Sequence, residues 1–250
     1  MSKWCWFLCC IILVSVVKAQ NNFIDLQKSS NKVANVFKLK EDTLKKQVEK
    51  AGLKWPLQQL YIRSFKYDSK LEVWARNHSK EPYQLFKTYK VCALSGALGP
   101  KRMEGDYQVP EGFYTINEFK YRSTYHLALG LNYPNSSDIL LSDIDKPGGE
   151  IYIHGSCITV GCIPVQDDQI EELYILASHS KSKGQDFIPV HIFPIKFDAA
   201  KSVEYFNKNA KDNTEYLLFT SKLKQVFDYF ELYKKLPIIC INKMGEYVIM

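Results

Sequence analysis

Between residues 151 and 165 the chain reads Ile-Tyr-Ile-His-Gly-Ser-Cys-Ile-Thr-Val-Gly-Cys-Ile-Pro-Val. Ile151 and Ile153 are apolar and alternate with Tyr152, the period of a strand with one face buried. Gly155 and Gly161 interrupt regular structure and let the backbone bend tightly. The run therefore reads as a strand ending in His154-Gly155, a short excursion, and a return through Gly161-Cys162. A chain folded this way sets an imidazole facing a thiol. A free thiol has a pKa of about 8.5 and is only a few per cent thiolate at neutral pH. A neighbouring imidazole that takes its proton turns it into a usable nucleophile. Taken singly, His154 reads as a core histidine and Cys162 as a buried, unreactive thiol. Taken together, with glycines on either side, they favour a nucleophile and its base.

Composition sets the frame for this site. The chain has 250 residues, 46% hydrophobic and 24% charged, the balance of an ordinary globular protein. Its formal charge is +6, and losing Lys3 and Lys18 with an N-terminal leader leaves +4. That is mildly basic, suited to an anionic polymer and too weak to argue for nucleic acid. Residues 1–19 combine Lys3, an apolar run and Val17-Lys18-Ala19, the pattern of a secretory signal cut after Ala19. The expected location is therefore outside the cytoplasmic membrane.

Along the chain, residues 20–34 are polar and read as a linker. Residues 35–54 carry Phe37, Leu44, Val48 and Ala51 near one helical face, and Gly52 ends that helix. Alternating runs at 60–63, 71–75, 83–94, 113–116, 125–131 and 188–192 read as strands, several joined as antiparallel hairpins. Asp167 is placed to cap a helix with Ile170, Leu173 and Ala177 facing inward. Residues 199–209 and 215–236 read as two helices, and 237–250 as two short strands about Met244-Gly245. Residues 95–112 are rich in Gly and Pro and form a loop. The fold class expected is mainly β with helical additions, α+β.

The motif also places three metal-ligating types together. His154, Cys157 and Cys162, with His179 or His191 as a fourth ligand, form the competing zinc reading. No Cys-x-x-Cys pair supports it, and neither metal nor cofactor is expected. With Cys162 kept as a thiol, Cys92, Cys157 and Cys240 cannot all pair within one chain. A Cys157 disulfide is compatible with the sequence, which does not identify its partner.

The His154-Gly155-Ser156-Cys157 and Gly161-Cys162 elements resemble the L,D-transpeptidase catalytic (YkuD) family, and within it the YafK-like branch. Ser95-Gly96-Ala97-Leu98-Gly99-Pro100-Lys101, Glu104-Gly105-Asp106, Pro110-Glu111-Gly112, Leu131-Asn132-Tyr133-Pro134 and the run 188–194 agree with it in the same order. The likeness spans residues 71–197. The chain departs from the wider family at Val160, where a His is usual, and at Pro164, where Arg or Asn is usual.

The resemblance implies a YkuD-like β-sandwich or partly closed barrel at residues 60–197, followed by a helical extension at 198–250. It implies acyl transfer on peptidoglycan stem peptides, with Cys162 as nucleophile, His154 as proton donor and acceptor, and the Gly161 and Cys162 backbone N–H groups as candidate oxyanion donors. Gly155 and Ser156 are implied to orient the imidazole. Lys101, Arg102, Tyr133, His126 and Thr159 are implied substrate contacts. A wall-attached protein is a further implied acceptor or substrate. Hydrolysis of wall links is the alternative reaction, and an inert wall-binding module the remaining reading.

Overall fold

The computed structural model describes residues 23–250; the expected leader at 1–19 lies outside them. Ten strands are present: β1 (Gln59–Phe65), β2 (Lys70–Arg76), β3 (Gln84–Lys90), β4 (Gly112–Ser123), β5 (His126–Leu131), β6 (Tyr152–His154), β7 (Ile163–Pro164), β8 (Ile188–Phe193), β9 (Ile239–Ile241) and β10 (Tyr247–Ile249). Helix α1 is described over 23–28. It is followed by α2 (Asn31–Lys50), α3 (Ser136–Leu141), α4 (Asp167–Ser182), α5 (Ala200–Ala210) and α6 (Thr214–Tyr233). β1 to β8 form one mixed sheet in the order β3-β2-β1-β8-β4-β5-β6-β7, and β9 pairs with β10 apart from it. The fold is α+β.

The period of two along each strand divides the sheet into two faces. Leu60 and Ile62, Leu71 and Val73, and Ile188, Val190 and Ile192 join one buried cluster with α2 and α4. Helix α2 contributes Val33, Val36, Phe37, Leu44 and Val48, and α4 contributes Ile170, Leu173 and Ala177. The alternate residues point the other way. Tyr61 and Trp74 meet Phe230 of α6, and Phe65 and Phe193 meet Leu223 and Phe227 of α6 together with Tyr247 of β10. A central strand covered on both faces is buried at nearly every position, as β1 is. The charge on its second face is neutralised in place. Buried Arg63 binds Glu72 at 2.6 Å and Glu231 of α6 at 2.7 Å.

Two expectations change. The linker expected at 20–34 is instead helical at 23–28 and again from Asn31, because Val33 is fully buried under α4 and anchors the first turn of α2. The C-terminal segment expected as an extension supplies α6 and β10 to the second face of the sheet, so its core is shared with β1 and β8.

Two register shifts shape the open part of that second face. β4 and β5 slip between Ile116 and Glu118 and again between Lys120 and Ser123, and the first is a bulge of one extra residue on β4. Before this bulge Tyr114 and Ile116 face α4; after it Phe119 and Tyr121 do. An extra residue inverts which side chains point to which face. Lys120 is thereby turned out of the core onto the face that also carries β6 residues 152 and 154, and Arg122, within the second shift, joins it at the same cavity.

Candidate active site

Strands β5, β6 and β7 lie side by side at the edge of the sheet. Ala128 pairs with His154 and Gly130 with Tyr152, while β6 and β7 run parallel with Ile153 opposite Ile163. Ile153 and Ile163 enter the core. Alternation then puts Tyr152, His154 and Cys162 on the opposite face. A cavity of about 250 Å³ opens there, lined by His154 and Cys162 with Lys120, Arg122, Tyr125, Ala128, Glu150 and Tyr152 among its walls. Ala128 and Gly130 carry no bulk between β4 and β6. At Gly130 a Cβ would lie 3.2 Å from the Tyr152 ring.

His154 is oriented by its own loop. Its Nδ1–H donates to the Gly155 carbonyl at 2.5 Å, leaving Nε2 buried and without a partner. That bond selects the tautomer in which Nε2 carries the lone pair. The Tyr125 ring stacks over the imidazole with centroids 4.8 Å apart. Gly155 is required at its position, since a Cβ would come within 3.0 Å of both the Tyr125 carbonyl and His126 Cβ. The Cys162 thiol accepts the Tyr152 N–H at 3.4 Å and points its own proton at the Glu150 carbonyl, 3.6 Å away. Burial pushes the thiol pKa up and the imidazole pKa down. The Tyr152 N–H partly offsets the shift of the thiol and the Gly155 carbonyl that of the imidazole. Both shifts favour a neutral thiol beside a neutral imidazole over a preformed ion pair. This arrangement suits an imidazole that accepts the proton as the sulfur attacks.

The loop between the two residues is tied at several points. Cys157 forms a disulfide with Cys92, just beyond β3, and the Cys92 N–H donates to the Pro164 carbonyl at 3.0 Å. The Ser156 N–H donates to Asp167 Oδ1 at 2.8 Å. Thr159 Oγ1 donates to the Cys162 carbonyl at 2.8 Å and accepts the Gly161 N–H at 3.1 Å. Gly161 has a φ of +146°, and a Cβ there would sit 3.0 Å from the Gln108 carbonyl. The same loop forms the rim of a second cavity of about 200 Å³ on the other side of Cys162, lined by Lys101, Glu104, Tyr107, Gly148, Gly149 and Val160. The thiol lines both cavities.

The structure brings together only part of the residue set read from sequence. His154, Gly155, Gly161, Cys162 and Thr159 form the motif loop, and Lys101 lines the second cavity. The remaining expectations change. The Gly161 N–H is held by Thr159, so of the two amides expected to face an oxyanion only that of Cys162 is left to do so. The Thr159 hydroxyl is committed within the loop. Ser156 turns its amide to Asp167 and makes no bond to the imidazole; Asp167, expected as a helix cap, is the first residue of α4 and braces this loop instead. His126 bonds Glu171 of α4 at 2.7 Å. Arg102 approaches Asp138 at 3.5 Å and stacks on Phe219. Tyr133 is buried, with its hydroxyl donating to the Pro147 carbonyl at 2.8 Å. Each of the three is engaged by a partner elsewhere in the fold: Glu171 for His126, Asp138 and Phe219 for Arg102, and Pro147 for Tyr133. The residues of the zinc reading are dispersed: Cys157 is oxidised, His179 bonds Glu41 and His191 bonds Tyr61.

Sequence reasoning missed Lys120, Arg122, Tyr125, Glu150 and Tyr152. Local pattern gave no signal for them. Lys120 and Arg122 depend on the register shifts in β4, and Tyr125 reaches His154 only because β5 pairs with β6.

An α+β scaffold that presents a cysteine and an uncommitted imidazole nitrogen in one cleft defines a class with the equipment for thiol chemistry. Comparison with known proteins narrows it. Residues 69–192 match the L,D-transpeptidase catalytic domain family, YkuD. The chain is 33% identical over 192 residues to "Putative L,D-transpeptidase YafK" of Escherichia coli K12, covering 76% of this chain and 73% of that protein. The protein of the same description from Escherichia coli O157:H7 matches to the same extent. Among solved structures, the helical cell shape determining protein Pgp2 from Campylobacter jejuni aligns over 75% of this chain and 76% of its own, at 19% identity and a TM-score of 0.42. The chain belongs to the L,D-transpeptidase (YkuD) family.

Proposed function

We propose that the protein is an exported cysteine acyltransferase that acts on peptidoglycan stem peptides. The observation that carries this reading is the Cys162 thiol opening into the same cavity as His154, whose Nε2 has no partner. In the first step Sγ attacks a peptide carbonyl carbon while its proton passes to Nε2. The oxyanion forms beside the Cys162 N–H, a kind of donor worth about 3 kcal/mol of barrier. The tetrahedral adduct then breaks its C–N bond, and the imidazolium gives its proton to the departing amine. A thioester on Cys162 remains. In the second step an acceptor amine attacks the thioester, His154 takes the amine's proton, and the thiolate leaves and is reprotonated. The cavity on the far side of Cys162 supports an amine acceptor, including one on a wall-attached protein; water in its place gives hydrolysis.

Incubating the protein with muropeptides and resolving the products by mass tests the proposal. Cross-linked or amine-exchanged products that vanish in Cys162→Ala are expected, along with a thioester adduct on the Cys162 peptide. Shortened products alone would move the reading to hydrolysis. No turnover, with Cys162 unmodified, would overturn it. The leader reading has its own check: the protein recovered from its native host should begin at Gln20, and a chain still beginning at Met1 contradicts export with cleavage. Among the described residues, no helix is long and apolar enough to cross a membrane.

A further inference from the structure

The two cavities that meet at Cys162 differ in charge. On the His154 side the walls carry Lys120 and Arg122 with one acid among them, Glu150. On the other side, Lys101 spends its ammonium on Asp106 at 2.6 Å and on the Met103 carbonyl at 2.7 Å, and Glu104 and Glu150 line the same wall. The cationic groups of the first cavity are less committed. Arg122 makes no ion pair among the described residues. Lys120 lies 4.5 Å from the centroid of the Tyr152 ring and donates to the Tyr152 hydroxyl at 2.9 Å, an arrangement that fixes its position without neutralising it. The same hydroxyl donates to Glu118 Oε2 at 3.0 Å. The Tyr152 hydrogen bond first, and then the charges of Glu118 and Glu150, raise the pKa of the Lys120 ammonium. Two register shifts in β4, one before Lys120 and one at Arg122, interrupt strand regularity where both cations reach this cavity.

We propose that Lys120 and Arg122 form a carboxylate-binding subsite on the His154 side of Cys162, so that the site selects acyl donors carrying a free carboxylate next to the carbonyl under attack. This deepens the acyltransferase reading and rests on it for the identity of the donor. The subsite itself rests on charge and geometry alone. A carboxylate there pairs with Arg122, which has no ion-pair partner among the described residues, and with Lys120 beside it. Its anchoring orients the acyl chain across the thiol and directs the departing or incoming amine to the Glu104 and Glu150 side.

The test separates the two claims. Iodoacetate and iodoacetamide alkylate thiols by the same displacement of iodide and differ in a carboxylate against a neutral amide. The ratio of their rates at Cys162, read by peptide-resolved mass spectrometry against exposed Cys240 in the same molecule, cancels any change in thiolate fraction. The Cys162 ratio is expected to favour iodoacetate relative to Cys240. It should fall about fivefold for each of Lys120→Gln and Arg122→Gln, the range of a partly exposed ion pair. Thermal denaturation should show both variants folded. A Cys162 ratio equal to that of Cys240, or one unmoved by both substitutions, overturns the subsite. Stem peptides with their carboxylates free or amidated complete the comparison. Turnover without discrimination removes the subsite and leaves the acyltransferase reading; carboxylate-selective alkylation without turnover does the reverse.

Discussion

Removing the Cys92–Cys157 disulfide should weaken the protein substantially while leaving the Cys162 thiol reactive. The bridge joins residues 65 apart in sequence. Closing a loop of that length in the unfolded chain costs entropy equivalent to about 4 kcal/mol. The bridge closes over β4, β5 and β6, the strands that build the cavity floor, so its loss acts on the part of the fold that holds His154. The cleanest perturbation is the double variant Cys92→Ser with Cys157→Ser, which leaves no unpaired thiol at the bridge. With a urea dependence of about 2 kcal/mol per molar, the unfolding midpoint should drop by roughly 2 M. Reducing the unaltered protein with dithiothreitol before unfolding should reproduce that drop, and adding reductant to the double variant should change nothing. Cys162 should still alkylate in the folded double variant, since the other ties of the loop, Ser156 to Asp167 and Thr159 to Gly161 and Cys162, survive. A midpoint shift under about 0.5 M would refute the loop-entropy argument. Loss of Cys162 reactivity in a folded double variant would refute the separation of bracing from chemistry.

Other outcomes follow from the same geometry. In His154→Ala, alkylation of Cys162 by iodoacetamide should fall at pH 7 and recover only at alkaline pH, because burial holds the thiol pKa up; a wild-type rate at pH 7 would remove His154 from proton transfer. Cys162→Ala should form no acyl adduct, and the His154→Ala, Cys162→Ala pair should be no worse than Cys162→Ala alone, because the two act as a unit. Gly155→Ala should cost about 1–3 kcal/mol by overpacking against the Tyr125 carbonyl and His126, read as a lowered urea midpoint; an unchanged midpoint would mean that the loop yields freely. Burial, aided by nearby Arg63, depresses His191 to about 3. The unfolded chain therefore binds a proton below about 6.5 that the folded protein refuses, and stability should fall as pH drops from 6.5 towards 3. In His191→Gln the slope of stability against pH between 6 and 4 should be shallower by about 1.4 kcal/mol per pH unit, and equal slopes would contradict it.

What the sequence determined by itself was the set of strands and turns with a clear local period or a glycine break; the polar stretch 20–34, helical in the structure at 23–28 and from Asn31, was not among them. The alternation in 60–63, 71–75 and 188–192 reports strands because side chains on a pleated backbone point to opposite faces in turn. Gly155 and Gly161 mark the turns that bring His154 back towards Cys162, and that short-range pair was legible for the same reason. The tertiary structure alone decided how the second face of each strand is used. Tyr61, Arg63 and Phe65 look like the outer side of β1 until α6, more than 140 residues later, covers them. It also decided that Lys120 and Arg122 line the same cavity as the thiol, since the register shifts between β4 and β5 are properties of the pairing and not of either strand. His126, Arg102 and Tyr133 went to Glu171, Asp138 and Pro147, partners 45, 36 and 14 residues away. A polar side chain takes whichever complementary group the folded chain delivers, and no local pattern encodes that delivery.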